Sequence, residues 1–459
     1  MVDTKPSAKI ERKYPHRIDD NVAIWTEFQE LTVRYNAISL GEGAPGGNPP
    51  DFLKEEMTKA IDSGYNQYQR VFGIPEFTRE IAQVYGKKLG REINPMSEIL
   101  VSAGANSALN SFILALINPR SGEEVVVFEP CFPQYQDHIQ FAEGVYKPIP
   151  LELKEDKWTF DPELLRKTLG PQTKIFLLNN AQNPTGKLFD EEELLLLTQI
   201  LNEFPHVVVI SDDVYDFLTF DGKRSKLFAS IGNNYEKTIS IFSGGKLFQA
   251  TGWKVGWAIA PPEFINIAGV IQCSTTYCVN APAQIAMARV LDYVDIDSQV
   301  EFKDGLTYVD YLRKEFQDVR DYMLTQLKEN FDLPVEPLKS ESGYFLMVNV
   351  SKCREFIPEK YLKTHDYENL TQKDENGNEI QLQPISRNIV YMPDGSIPLD
   401  LAFCRWMAVE RGVIMMPASV FYNKDSPYKD DKCVRLAICK GLDHSAKAIN
   451  RLKGKKKLD

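Results

Sequence analysis

The chain has 459 residues, a net charge of −11 at pH 7 and 43% hydrophobic residues, which is ordinary for a folded protein in water. Its length exceeds one compact core, so we expect a large domain with a smaller partner domain. The acidic balance disfavours binding to nucleic acid, and the dense basic run at 453–457 is typical of a solvated tail. Apolar runs are too short to cross a membrane.

The cysteines and histidines carry no metal or disulfide signature. The seven cysteines are odd in number and form no CxxC pair, and the five histidines form no HExxH motif. We therefore expect neither a disulfide scaffold nor a bound metal. The opening stretch, 1–17, lacks the apolar core of a secretory signal, and Asp3 and Glu11 argue against a mitochondrial leader. The expected compartment is the cytoplasm, with the mitochondrion as the alternative.

From residue 98 onward the sequence alternates strand-type and helix-type runs. Helical patterns such as 107–117 and 191–204 lie between short runs rich in β-branched and aromatic residues. The predicted strands are 98–103, 124–130, 146–152, 174–180, 206–213, 238–244 and 254–260. Alternation of this kind predicts a mostly parallel sheet covered by helices, with ligands bound at the carboxyl ends of the strands.

After about residue 284 the pattern becomes helical and then mixed. Strands are predicted at 343–350 and 433–440, with a helix at 403–412. We interpret this region as a separate, smaller domain. Residues 365–399 within it are polar and read as a surface insertion, in which Asn376-Gly377 could turn a small hairpin.

The stretch SGGKLFQATGWKVGW, 243–257, places two lysines among glycines and aromatic residues. A lysine in a largely apolar site has a lowered pKa and can form a Schiff base with a carbonyl, which suits Lys246. Lys254 is the better candidate for a fixed cation that holds a phosphate. The alternative is a core strand whose two lysines reach solvent.

Three other segments add chemistry at predicted strand ends. Asn183-Pro184-Thr185-Gly186 follows one strand, and Asp212 ends another, with Tyr215 three residues later. SAGANSAL, 102–109, runs from a strand into a helix and offers free backbone N–H groups to an anion. Taken singly, each segment is also explained as a turn, a cap or an ordinary strand-to-helix connection.

Together, NPTG, SDDVYD and SGGK…TGWK resemble the fold-type I pyridoxal-phosphate aminotransferases, and the kynurenine aminotransferase group most closely. The resemblance extends from Trp25 to Arg435. It also covers LGEGAPGGNPPDF (40–52), YNQYQRVFGIPEF (65–77), EPCFPQY (129–135) and MPASVFY (416–422). It implies a three-layer α/β fold with a mostly parallel seven-stranded sheet and a smaller α+β domain. The implied divisions are 1–57, an arm and part of the small domain, 58–310, the large cofactor domain, and 311–459, the small domain.

The same resemblance assigns roles to residues. Lys246 is expected to be the Schiff-base lysine, and Asp212 the carboxylate that faces the pyridine nitrogen. Tyr215 and Asn183 are expected to hydrogen-bond the phenolic oxygen of the cofactor. The remaining cofactor residues implied are Phe132 on the ring face, the Ala105 and Asn106 amides, Ser243 and Lys254 at the phosphate, and Tyr68 from a neighbouring subunit of a homodimer. The substrate residues implied are Trp25, Gly43, Asn183 and Arg435.

The implied function is ping-pong transfer of an amino group from an L-amino acid to a 2-oxo acid. Kynurenine, aromatic amino acids, glutamine and methionine remain open as donors. The alternatives are a pyridoxal-phosphate β-lyase acting on cysteine S-conjugates, which would turn over without a 2-oxo acid, and a non-catalytic cofactor-binding protein. Ala44, Tyr277, Cys278 and the 365–399 insertion depart from the pattern of the group and put the kynurenine preference in doubt.

Overall fold

The structure is a computed structural model that describes residues 18, 21–373 and 377–453. The opening stretch 1–17, with Asp3 and Glu11, lies outside the described residues. The same holds for Asn376 of the predicted hairpin turn and for residues 454–457 of the basic run.

A seven-stranded sheet forms the centre of the molecule, and each strand coincides with one of the seven predicted runs. Its strands are β1 (Ile99–Ser102), β2 (Glu124–Glu129), β3 (Val145–Pro150), β4 (Thr173–Asn179), β5 (Val208–Asp212), β6 (Thr238–Ser243) and β7 (Gly256–Ile259). The order across the sheet is β1-β7-β6-β5-β4-β2-β3. Only β7 runs antiparallel to its neighbours, so the expectation of a mostly parallel sheet is confirmed.

Alternating apolar side chains on the strands build two cores, one on each face of the sheet. In β2, Val125 and Val127 belong to one core, whereas Val126 and Phe128 belong to the other. Successive side chains of a strand point to opposite faces, so a strand that is apolar throughout requires cover on both sides. Helices supply that cover, and the result is the three-layer α/β arrangement that the sequence implied.

The described part of the chain contains fourteen α-helices. They are α1 (Ile24–Arg34), α2 (Asp51–Asp62), α3 (Pro75–Leu89), α4 (Ala105–Leu116), α5 (Gln134–Phe141), α6 (Pro162–Thr168), α7 (Glu191–Asn202), α8 (Gly244–Leu247), α9 (Pro262–Thr275), α10 (Ala281–Ala288), α11 (Tyr308–Glu329), α12 (Glu359–Lys363), α13 (Leu399–Trp406) and α14 (Leu442–Lys453). The predicted helix at 403–412 corresponds to α13 followed by a π-helical turn, Met407–Arg411.

A second, four-stranded antiparallel sheet lies in the C-terminal region. Its strands are β8 (Glu336–Leu338), β9 (Phe345–Asn349), β10 (Met416–Pro417) and β11 (Cys433–Ala437), in the order β8-β9-β11-β10. The predicted strands at 343–350 and 433–440 are its two central members. Within the polar insertion, Thr371–Lys373 and Glu379–Gln381 pair as an antiparallel hairpin around the predicted turn.

None of the helices in the described ranges is both long enough and apolar enough to cross a membrane.

Candidate active site

A cavity of about 250 Å³ opens at the carboxyl ends of β4, β5 and β6. It brings together every predicted site residue except Tyr68. The predicted residues that line it are Trp25, Gly43, Ala105, Asn106, Phe132, Asn183, Asp212, Tyr215, Ser243, Lys246, Lys254 and Arg435. Residues more than 400 positions apart in the sequence therefore meet at one edge of the sheet, where parallel strands place their ligands.

Lys246 lies on the short helix α8 that directly follows β6. Its Nζ donates a hydrogen bond of 2.5 Å to the carbonyl oxygen of Gly43, and its own carbonyl accepts one of 2.7 Å from the hydroxyl of Tyr344. Burial away from water penalises the ammonium form and lowers the pKa of Lys246 to about 8. At neutral pH about a tenth of this amine is therefore uncharged and nucleophilic, far more than in an exposed lysine.

Asp212 is the last residue of β5 and is fully buried. The hydroxyl of Tyr135 donates a 2.5 Å hydrogen bond to its Oδ2, while Oδ1 has no hydrogen-bond partner among the described residues. Burial raises the pKa of Asp212 to about 6, and the Tyr135 hydrogen bond opposes that rise. An unpaired, buried carboxylate oxygen is costly unless a ligand supplies a donor.

Two residues beside Asp212 were not among the predicted site residues. Tyr135 lies on α5, 77 positions before Asp212, and was visible only as the last letter of EPCFPQY. Asn179 ends β4 opposite Asp212; its Nδ2 donates to the carbonyl of Asp212 at 2.8 Å, and its Oδ1 accepts from the backbone N–H of Asn183 at 2.8 Å. A polar residue ending a buried strand was the available signal for Asn179.

The opposite end of the cavity carries positive charge. The helix α4 begins there at Ala105 and Asn106, and the first N–H groups of a helix have no partner within the helix. Lys254 has a left-handed backbone conformation, with φ of 58°, and its Nζ lies 3.3 Å from the place where a Cβ on Gly104 would stand. An ammonium group thus lies at the start of α4, which suits a phosphate.

Arg435, on β11, brings a second cation into the cavity. Its Nη1 donates to Oδ1 of Asn183 at 2.8 Å and its Nη2 to the carbonyl of Gly41 at 2.7 Å. The guanidinium also lies 3.8 Å from the ring centroid of Phe345, and burial lowers its pKa. Its Nε has no hydrogen-bond partner in the described part of the chain, so the group still has a donor for a carboxylate.

Gly43 occupies a position where a side chain has no room. A Cβ added there would lie 2.4 Å from the ring of Phe345. The glycine therefore lets the chain pass close to Lys246 and Arg435, and it leaves its carbonyl oxygen facing Nζ of Lys246.

Tyr68 does not line this cavity. Its side chain is 82% exposed and lies edge-to-face against Tyr277, with ring centroids 5.2 Å apart. Tyr68 lines a surface hollow together with the exposed Ile61 and the partly exposed Cys278. The role predicted for Tyr68 requires a second copy of the chain.

The donors and acceptors of the cavity fit pyridoxal phosphate. The amine of Lys246 suits the aldehyde, the unpaired Oδ1 of Asp212 suits a protonated pyridine nitrogen, and the start of α4 with Lys254 suits the phosphate. Phe132 adds an aromatic wall beside Tyr135, with ring centroids 5.5 Å apart. The residues present thus match the aldehyde, the ring nitrogen and the phosphate of this cofactor.

Comparison with known proteins also indicates an aminotransferase. Residues 35–451 match the family described as aminotransferase class I and II. The kynurenine–oxoglutarate transaminase of Dictyostelium discoideum is 32% identical over 433 residues, which cover 91% of this chain and 90% of that protein. This relative is named as a transaminase, so the comparison does not favour the β-lyase alternative.

Two solved structures extend the likeness to the whole fold. The N-succinyldiaminopimelate aminotransferase from Mycobacterium tuberculosis is 27% identical with a TM-score of 0.77, covering 94% of this chain and 97% of its own. YbdL from Escherichia coli, whose structure identified a methionine aminotransferase function, is 25% identical with a TM-score of 0.77, covering 96% of this chain and 100% of its own. The expected fold-type I architecture is confirmed, and the enzyme is a pyridoxal-phosphate-dependent transaminase. The chain therefore belongs to the aminotransferase class I and II family.

Proposed function

We propose that the cavity residues hold pyridoxal phosphate and act in the roles that the sequence resemblance implied. Lys254, Ser243 and the amides of Ala105 and Asn106 hold the phosphate, and Phe132 packs on the ring. Asp212 keeps the ring nitrogen protonated, while Tyr215 and Asn183 bind the ring oxygen. The observation that carries this proposal is the meeting of Lys246, Asp212 and Arg435 in one buried cavity.

The bound cofactor supplies an electron-accepting ring that makes the Cα–H bond of the amino acid breakable. The protein's own groups do the rest. Arg435 holds the substrate carboxylate through its guanidinium, which fixes the Cα hydrogen relative to Lys246. The neutral Nζ of Lys246 takes the Cα proton, since its pKa near 8 suits general-base action at neutral pH. Trp25 and Phe345 flank Arg435 and shield the proton transfer from water.

The substrate of the proposed reaction is an aromatic or kynurenine-type L-amino acid, with a 2-oxo acid such as 2-oxoglutarate as acceptor. The name of the Dictyostelium relative supports this choice, and so do the aromatic side chains of Trp25 and Phe345 beside Arg435. The test is kcat/KM for kynurenine, phenylalanine, glutamine and methionine with 2-oxoglutarate. Kynurenine or phenylalanine should rank first; a leading rank for glutamine or methionine would overturn the aromatic preference.

We also propose a cytoplasmic homodimer with shared active sites, divided at residues 1–57, 58–310 and 311–459 into arm, large and small domains. The exposed pair Tyr68 and Tyr277 supports it, since tyrosine is enriched at protein–protein interfaces. Mixing the inactive variants Lys246→Ala and Tyr68→Ala during refolding should restore activity in mixed dimers. Activity that never exceeds that of either variant alone would contradict shared sites.

The lowered pKa of Lys246 predicts how cofactor loading depends on pH. Only the neutral amine attacks the aldehyde, and with a pKa of about 8 its neutral fraction rises as pH increases from 6 to 9 and then levels off. We expect the rate of visible absorbance gain, on mixing cofactor-free protein with pyridoxal phosphate, to follow that curve. A rate that continues to climb tenfold per pH unit up to pH 10 would mean an ordinary lysine.

Replacing Tyr135 by phenylalanine should change the pH profile as well as the rate. The Tyr135 hydroxyl favours the ionised form of Asp212, so its loss raises the pKa of Asp212. We expect kcat to fall about tenfold and the acid limb of its pH profile to move to higher pH, because the ionised carboxylate is then lost sooner as pH falls. A uniform loss with an unmoved acid limb would indicate a purely structural role for Tyr135.

Replacing Arg435 by lysine should weaken substrate capture. Lysine keeps a positive charge but lacks the planar fork that can bind a carboxylate with two hydrogen bonds. We expect kcat/KM for the amino acid to fall by about 10- to 100-fold, mainly through KM, while the spectrum of the bound cofactor stays unchanged. An unaltered KM would remove Arg435 from the proposed carboxylate site.

A further inference from the structure

A second cavity, of about 530 Å³, lies on the outer side of Trp25. Trp25 lines both this cavity and the one that holds Lys246. The two cavities also flank successive residues of one segment, because Phe132 lines the first while Pro133 and Gln134 line the second. The second cavity is therefore next to the place where the side chain of a bound amino acid would end.

The polar insertion supplies one wall of the second cavity. Residues 388–391 line it, opposite the segment 21–25 at the start of α1. The two segments are joined by hydrogen bonds: Nδ2 of Asn388 donates to the carbonyl of Val22 at 2.5 Å, and Asn21 exchanges hydrogen bonds of 3.0 and 3.1 Å with the backbone of Ile389. We call residues 385–391 the strap.

A buried ion pair fixes the strap against α1. Glu27 and Arg405 both have side chains that are 0% exposed, and they are joined by two hydrogen bonds of 2.7 and 2.9 Å. The backbone N–H of Asn388 donates to Oε2 of Glu27 at 2.6 Å, and its carbonyl accepts from Nη2 of Arg405 at 3.0 Å. A fully paired buried network of this kind specifies one arrangement, so the wall is preformed.

The chemistry of the walls indicates what the cavity would accept. The lining is mixed: apolar and aromatic side chains such as Val390, Tyr391 and Val420 stand beside polar ones, and it also includes three charged residues, Asp137, Lys424 and Lys429. Two amide oxygens in the lining, Oε1 of Gln134 and Oδ1 of Asn388, are buried and have no hydrogen-bond partner among the described residues. Such acceptors call for a ligand that brings an N–H donor into this partly apolar space.

We propose that the strap and the start of α1 form a substrate subsite, which receives the far end of a long amino-acid side chain bearing an N–H donor. This rests on the proposed transaminase site, because Arg435 and Lys246 hold the α-carbon while the side chain passes Trp25. The insertion thereby sets substrate choice from outside the catalytic cavity. Short amino acids reach Lys246 without using the subsite.

The test compares three amino donors that differ only beyond Trp25: L-2-aminobutyrate, Nε-acetyl-L-lysine and its ketone isostere, 2-amino-8-oxononanoic acid, in which CH₂ replaces the N–H. The bleaching rate of the visible cofactor band gives kcat/KM for each donor half-reaction. The wild-type enzyme should prefer Nε-acetyl-L-lysine to the ketone by about threefold to tenfold, the value of one neutral hydrogen bond. Gln134→Met, which removes one unpaired acceptor, should reduce that preference towards unity.

A variant that fills the second cavity provides a second test. Ala23 is exposed and lines the cavity, so Ala23→Trp would fill the space without crowding the core. The ratio of kcat/KM for Nε-acetyl-L-lysine to that for L-2-aminobutyrate should fall at least about tenfold. Ile380→Ala, on the exposed hairpin of the insertion and outside the cavity, is the control and should keep the wild-type ratio.

The outcomes separate the subsite from the transaminase site. An unchanged ratio in Ala23→Trp, or no wild-type preference for the amide over the ketone, would overturn the subsite while L-2-aminobutyrate still bleaches the band. Failure of all three donors, and of phenylalanine measured beside them, to bleach the band would instead overturn the proposed roles of Lys246 and Arg435.

Discussion

Replacing Lys246 by alanine is expected to lower kcat for transamination by about 10²- to 10⁴-fold. This is the usual contribution of a positioned acid–base group, and Lys246 is proposed to move the Cα proton. The same change removes the amine that attaches the cofactor, so the visible band of the resting enzyme should disappear. The measurement is the single-turnover rate of oxo-acid formation, with the absorption spectrum recorded beside it.

A suitable control for this variant is Lys237→Ala. Burial also lowers the pKa of Lys237, and its Nζ donates to the carbonyl of Leu201 at 3.1 Å, but it does not line the cavity. Its loss should leave both kcat and the spectrum near those of the wild type. Retention of kcat within tenfold in Lys246→Ala would show that another group moves the proton.

Replacing Asp212 by asparagine should lower kcat by about 10²- to 10³-fold without unfolding the enzyme. The substitution keeps the shape of the side chain but removes the negative charge proposed to keep the pyridine nitrogen protonated. Because burial raises the pKa of Asp212 to about 6, the charged form is already costly in the empty cavity, and a neutral amide relieves that cost. We therefore expect thermal stability of the cofactor-free protein to be kept or increased.

Rapid-reaction kinetics and a thermal melt of the cofactor-free protein test both parts of this prediction. Activity within fivefold of the wild type would remove the charge from the mechanism. A large loss of thermal stability would indicate that Asp212 is needed for the fold itself. In that second case the loss of activity could not be assigned to the charge.

Local sequence patterns predicted the large sheet well because its strands are short, apolar and buried on both faces. The run KIFLLNN, for example, appears as β4 at Thr173–Asn179, and VVVISDD as β5 at Val208–Asp212. Residues at the carboxyl ends of such strands are held by the sheet itself. Asp212 and Asn183 were therefore both expected near the carboxyl ends of strands, and the resemblance to the aminotransferases then implied that they share one site.

Contacts made between distant segments were not predictable in the same way. The hydrogen bond from Tyr135 to Asp212 joins residues 77 positions apart, and the pairing of Glu27 with Arg405 spans 378 positions. The sequence likewise predicted only a polar surface loop for the insertion. Its hydrogen bonds to α1 join distant segments and produce no repeating pattern of apolar residues that could have indicated them. Helix α13 was predicted, but its continuation as a π-helical turn at Met407–Arg411 depends on packing rather than on local propensity.

The visible absorption spectrum of the purified protein with pyridoxal phosphate is the most direct test of the central claim, that Lys246, Asp212 and Arg435 form one transaminase site. The spectrum would be recorded alone, after an aromatic amino acid and then after a 2-oxo acid. The account predicts a yellow band that the amino acid bleaches and the 2-oxo acid restores, and no such band in Lys246→Ala. A wild-type protein that gains no band with the cofactor, or whose band the 2-oxo acid never restores, would contradict it.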